Sequence, residues 1–184
     1  MSRIKKVVVV YDHKDCGKTS VLCELASQLI SKNQHATRIL RRKGNKKELS
    51  SLPKDKVTGL YKNDILFAIQ IPQSTDGYKT IGIGSAGDDR DSVLRNFMFF
   101  GNIWPDSNFD VVFVAIREQH REDGLGDCGK SFPLMQLEEI ERHDNLQVIR
   151  PFIRTGMKKS DGSLNQSGVQ AKAKELEKMI EIMP

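Results

Sequence analysis

Val7, Val8, Val9 and Val10 follow one another with no polar residue between them. β-Branched side chains favour extended backbone, and neighbours on a strand point to opposite faces, so such a run must be covered on both sides. Strands of that kind belong to parallel sheets with helices packed above and below. After a short polar loop, Val21, Leu22, Leu25, Ala26, Leu29 and Ile30 recur at helical spacing and predict a helix over about 18–32. A strand, a loop and a helix therefore follow in order from the start of the chain.

The rest of the sequence continues that alternation. A short strand is expected at 36–40, and the runs 65–71 and 78–83 flank Ser74-Thr75-Asp76-Gly77, an Asp-Gly turn signal for an antiparallel hairpin. A Gly-rich loop over 84–89 leads into a helix carrying Val93, Leu94, Phe97 and Met98. A second buried strand covers 110–116. Leu134, Leu137 and Ile140 mark a helix, 146–153 a last strand, and Val169, Ala173, Leu176, Ile180 and Met183 a closing amphipathic helix. The expectation is an α/β fold: a three-layer α/β/α sandwich with a mostly parallel sheet and one antiparallel hairpin. At 184 residues the chain suits a single domain over 1–184, with a basic loop or insertion at about 42–62.

Charge and cysteine content narrow the class of function. The net charge is +5, yet between Arg38 and Lys62 nine basic residues face two acidic ones, so the excess is local. Such a stretch suits a polyanion, whether a phosphate-rich substrate or nucleic acid. Its only aromatic residue is Tyr61, so the interleaved stacking platform of single-strand binders is missing. Cys16, Cys23 and Cys128 form no CxxC pair, and no His stands at zinc-finger spacing; reduced thiols and no structural zinc are expected. No apolar run approaches the roughly 20 residues of a membrane span, and 7–10 is too short for a signal-peptide core, which places the expected location in the cytoplasm.

The loop after the first strand carries the chemistry. Asp12-His13-Lys14-Asp15-Cys16-Gly17-Lys18-Thr19 has the spacing GxxxxGK(S/T), with Asp12 where the first glycine belongs. That spacing lets backbone N–H groups curl round phosphates, Gly17 admit a close backbone approach, Lys18 reach the terminal phosphates and Thr19 take Mg²⁺. A second stretch, from Gly124 to Ser131, fits the pattern letter for letter. It is set apart from its strand by the polar run 117–123 and is followed by Pro133, so the early copy is preferred. A carboxylate at about 6 Å from a phosphate costs on the order of 3 kcal/mol at an effective dielectric of about 20. Asp12 is therefore expected to turn away or to take a partner, His13 and Lys14 being nearest.

In these residues the chain resembles the P-loop NTPase superfamily. The resemblance implies ATP or GTP with Mg²⁺, and either hydrolysis or phosphoryl transfer. It implies a phosphate-binding set of Lys14, Asp15, Cys16, Gly17, Lys18, Thr19 and Ser20, with Lys18 also catalytic. The superfamily places a second carboxylate at the end of a neighbouring strand, and here Asp88, after Gly84-Ser85-Ala86-Gly87, is the candidate for the metal and for catalysis; helix capping is its other reading. The order of hairpin, Gly-containing loop and helix is similar to that of small GTPases. No NKxD motif follows the strand ending at Ile116, where Arg117-Glu118-Gln119-His120 stands, so ATP is favoured. Arg117 is a candidate to support charge in the transition state, and with Arg121 and Lys130 it resembles the lid of small-molecule and nucleotide kinases. Arg154-Thr155-Gly156 follows the last strand, where folds of this kind set a loop against the base, which makes Thr155 a binding candidate. Hydrolysis of Mg-ATP is the first expectation, a small-molecule or nucleotide kinase the second, and a non-catalytic nucleotide-sensing or nucleic-acid-associated module the third.

Overall fold

The computed structural model describes residues 3–13, 16–42, 64–74, 77–87, 90–104, 106–118, 132–144, 146–157, 159 and 161–182. They form β1 (Lys6–Asp12), α1 (Lys18–Lys32), β2 (Thr37–Arg42), β3 (Ile65–Gln73), β4 (Gly77–Gly84), α2 (Arg90–Ile103), β5 (Val111–Arg117), α3 (Phe132–Asp144), β6 (Gln147–Arg154) and α4 (Gln166–Ile182). The six strands make one mixed sheet in the order β2-β3-β4-β5-β1-β6. β1 pairs parallel with both β5 and β6, and β4 pairs parallel with β5.

The valine run behaves as its composition demands. Val8 and Val10 face α1 and α4, whereas Val7 and Val9 face α2 and α3, and all four are buried. Covering both faces of β1 thus uses every side chain of the run, each worth roughly 1.5–3 kcal/mol on burial. α1 sets Leu22, Leu25, Leu29 and Ile30 against the sheet and ends at Asn33, whose backbone N–H and side-chain amide both donate to the Leu29 carbonyl, at 3.0 and 2.9 Å. α4 starts after Asn165, whose side-chain oxygen accepts from the Gly168 N–H at 3.2 Å.

The expected antiparallel hairpin is β3–β4, within a sheet that is otherwise mostly parallel. β2 also pairs antiparallel, against β3, so antiparallel pairing extends beyond the β3–β4 hairpin. β4 does not adjoin β1, because β5 lies between them. Among the four apolar residues 97–100, Phe97, Phe99 and Phe100 are buried and Met98 is exposed, the split that helical spacing imposes. The basic stretch beyond Arg42, the second GxxxxGKS and Asp88 lie outside the described residues. No helix among the described residues is long and apolar enough to cross a membrane.

Candidate functional site

β1, β4, β5 and β6 all end at one edge of the sheet, and α1 leaves β1 on one face while α2 and α3 cover the other. In open α/β sheets the crevice at the carboxyl ends of the strands, where connections diverge to opposite faces, is where ligands bind. The turn between Asp12 and Thr19 occupies that position.

Gly17 opens α1 with φ 88°, a left-handed conformation that glycine adopts without steric cost. A Cβ there would also come within 2.9 Å of Met157 Cβ. Among the described residues, the N-cap Gly17 offers no side-chain cap and the first turn of α1 itself holds no acidic residue. Lys18 is buried and spans the turn, its ammonium donating to the carbonyls of Asp12 at 2.9 Å and His13 at 2.5 Å. A helix start opened by an αL glycine beside a buried lysine is a place where an anion can be received.

Among the described residues, which do not include Lys14, the Asp12 carboxylate takes its hydrogen bonds from the segment after β6 and from the backbone of His13. Its Oδ2 accepts from the backbone N–H groups of Thr155 at 3.1 Å and Gly156 at 2.7 Å, and lies 2.8 Å from the Thr155 hydroxyl. Its Oδ1 accepts from the His13 backbone N–H at 2.8 Å. Burial pushes this carboxyl upward, but the hydrogen bonds from Gly156, Thr155 and His13, helped by the Lys18 charge, hold it below the ordinary carboxylate value. The Asp12 charge is thereby engaged by donors of the protein itself.

Thr19 meets an acid that sequence reasoning missed. Its hydroxyl donates to Asp64 Oδ1 at 3.3 Å, and the buried Ser85 hydroxyl lies 3.5 Å from the same oxygen. The hairpin explains the meeting: Leu66 opposes Gly84, so the residue before β3 falls beside the residue after β4. An acid preceding the first strand of an antiparallel hairpin was the available signal. A hydroxyl and a carboxylate are the oxygen donors that Mg²⁺ accepts, so Thr19 and Asp64 fit that ion by donor chemistry. Among the described residues, the carboxylate beside Thr19 comes from the residue before an antiparallel strand, while the expected Asp88 lies outside them.

The other predicted residues separate. Cys16 presents its carbonyl to Thr155, and Ser20 is buried in the first turn of α1. Arg117 ends β5 in register with Asp12, half-buried, its backbone N–H donating to Gly87 at 3.0 Å. Thr155 is buried and its hydroxyl is engaged by Asp12 and Cys16. Lys14 and Asp15 lie outside the described residues. Asp12, His13 and Glu118 bring potential ligand atoms within 4.8 Å of one another. Both Asp12 oxygens already accept protein hydrogen bonds, and Glu118 pairs with Arg154 and lies 3.4 Å from His13 Nε2.

No protein-family model matches the chain, and no curated protein or solved structure matches it.

Proposed function

We propose that the protein binds a nucleoside triphosphate, ATP in the first instance, with Mg²⁺ in the turn between Asp12 and Thr19, and hydrolyses it in the manner of P-loop NTPases. The observation that carries this reading is Lys18, a buried ammonium laid across a turn that opens a helix through an αL glycine. In this reading the N–H groups at the start of α1 and the Lys18 ammonium neutralise the phosphates. Thr19 and Asp64 hold the magnesium ion, which supplies charge neutralisation on the phosphate oxygens when bound. Arg117, beside the turn at the end of β5, supports charge that develops on the transferred phosphoryl group.

Lys18→Ala tests the reading. Calorimetric titration with Mg-ATP should show at least tenfold weaker binding in the variant, and phosphate release by the wild type should disappear with it, at a temperature where both proteins are folded. Equal affinity in the two would overturn the proposal. Tight binding with no phosphate release by the wild type would replace hydrolysis with nucleotide sensing.

A further inference from the structure

The phosphate turn is tied to a segment 139 to 144 residues further along the chain, and the tie runs through the one position that departs from the GxxxxGK(S/T) pattern. Thr155 has a single hydroxyl proton and two acceptors in reach, Asp12 Oδ2 at 2.8 Å and the Cys16 carbonyl at 2.7 Å. Asp12 begins the turn and Cys16 nearly ends it, so one hydroxyl lies within donating reach of both sides and can give its proton to either. The Met157 N–H donates to the same Cys16 carbonyl at 3.4 Å, and the Met157 side chain packs on Gly17. The segment 155–157 therefore touches the turn at Asp12, Cys16 and Gly17.

That segment is itself anchored. The Asn165 N–H donates to the Met157 carbonyl at 2.8 Å, and Asn165 caps α4. α4 packs on α1, with Lys32 and Glu177 joined at 2.7 Å. The path from turn to segment to α4 to α1 closes on the turn again. A glycine at position 12 would take away the acceptor for Thr155 and Gly156 and would widen the conformations open to the turn. Ordering that turn would then be charged to ligand binding.

We infer that Asp12 is a positioning residue, which fixes the phosphate turn through the segment after β6, so that Asp12→Gly, although it restores the strict motif, weakens nucleotide binding. The inference rests on the nucleotide reading above. The experiment is calorimetric titration of the full chain with a non-hydrolysable ATP analogue and Mg²⁺, on wild type, Asp12→Gly, Thr155→Val, the double variant and Lys18→Ala. Each is measured well below its own Tm. Asp12→Gly should bind at least tenfold more weakly than wild type, Thr155→Val should also weaken binding, and the double variant should be no worse than the weaker single one, because the two residues act as a unit.

A merely structural role would lower Tm and leave Kd unchanged, and that result would overturn the inference, as would tighter binding by Asp12→Gly or additive effects. If Asp12→Gly fails to fold, Thr155→Val decides: unchanged affinity there overturns the inference. Weak binding by Lys18→Ala beside normal binding by Asp12→Gly removes this inference alone. Absence of binding by the wild type, or wild-type affinity in Lys18→Ala, removes the nucleotide reading and this inference with it.

Discussion

The Thr19 hydroxyl and the Asp64 carboxylate meet at 3.3 Å across 45 positions of sequence, one from the first turn of α1 and the other from the residue before β3. If the pair holds magnesium, Asp64→Asn keeps the shape and the hydrogen-bond acceptor but removes the charge that a hard cation requires. Mg²⁺ should then support nucleotide binding only at concentrations at least tenfold higher, while Tm moves by a few degrees at most. Titration of Mg²⁺ at fixed ATP, followed by nucleotide fluorescence, reads this directly. An identical Mg²⁺ midpoint in Asp64→Asn and wild type would remove Asp64 from the metal site.

Gly17 answers to two constraints at once. An alanine there would have to hold φ 88°, costing about 1–2 kcal/mol, and its methyl would meet Met157 Cβ at 2.9 Å. The expected loss is about 2–3 kcal/mol of unfolding free energy in urea, with nucleotide affinity reduced because the turn can no longer close on the segment behind it. A stability loss below about 0.5 kcal/mol would show that the turn relaxes without cost.

How much of this was legible in the sequence depends on how local each cause is. The valine run and the bounds of α1 follow from side chains that act over one strand or one helical stripe, and the structure places both as expected. β2 was expected, but its antiparallel direction is set by its neighbour β3 rather than by its own residues. For Asp12 the sequence points to His13 and Lys14 as the nearest partners; the His13 backbone N–H does donate to it, Lys14 lies outside the described residues, and the donors Thr155 and Gly156 arrive because β6 lies beside β1. Asp64 was overlooked for a similar reason. Its position follows from hairpin register, a relation between two strands that no single-residue pattern reports.

Acid should act on the protein through Asp12. Its folded carboxyl lies below the ordinary value of 3.8, because hydrogen bonds outweigh the effect of burial. The native state therefore binds this proton more weakly than the unfolded chain. The stabilisation is complete above about pH 4 to 5 and is lost as pH falls through the depressed folded value. Asp12→Asn mimics the protonated acceptor and should be less stable than wild type by about 1–3 kcal/mol at pH 7. That gap should hold down to about pH 5 and narrow below pH 4. Urea unfolding of both proteins across that range measures it, and a gap that widens toward acid would reverse the assignment.

Two glycines at either end of α2 should respond to alanine with opposite signs. A Cβ on Gly87 would fall 1.6 Å from the Ala115 carbonyl oxygen and 2.4 Å from its carbon, backbone atoms of β5 that have no flexible end to swing aside. The loop carrying Gly87 would have to leave β5, breaking the hydrogen bond from the Arg117 N–H to the Gly87 carbonyl at 3.0 Å. A cost of about 3 kcal/mol or more is expected, at the upper end of what overpacking imposes. Gly101 lies inside α2 with nothing within 4 Å of the added methyl, so alanine there gains helix propensity without contact, a stabilisation of about 0.5–1 kcal/mol. Because β5 carries Arg117 beside the turn proposed to hold phosphate, Gly87→Ala should also depress nucleotide binding, whereas Gly101→Ala should leave it unchanged. Chemical denaturation paired with Mg-ATP titration separates the two, and equal effects from both substitutions would show that the approach of Gly87 to β5 does not constrain the site.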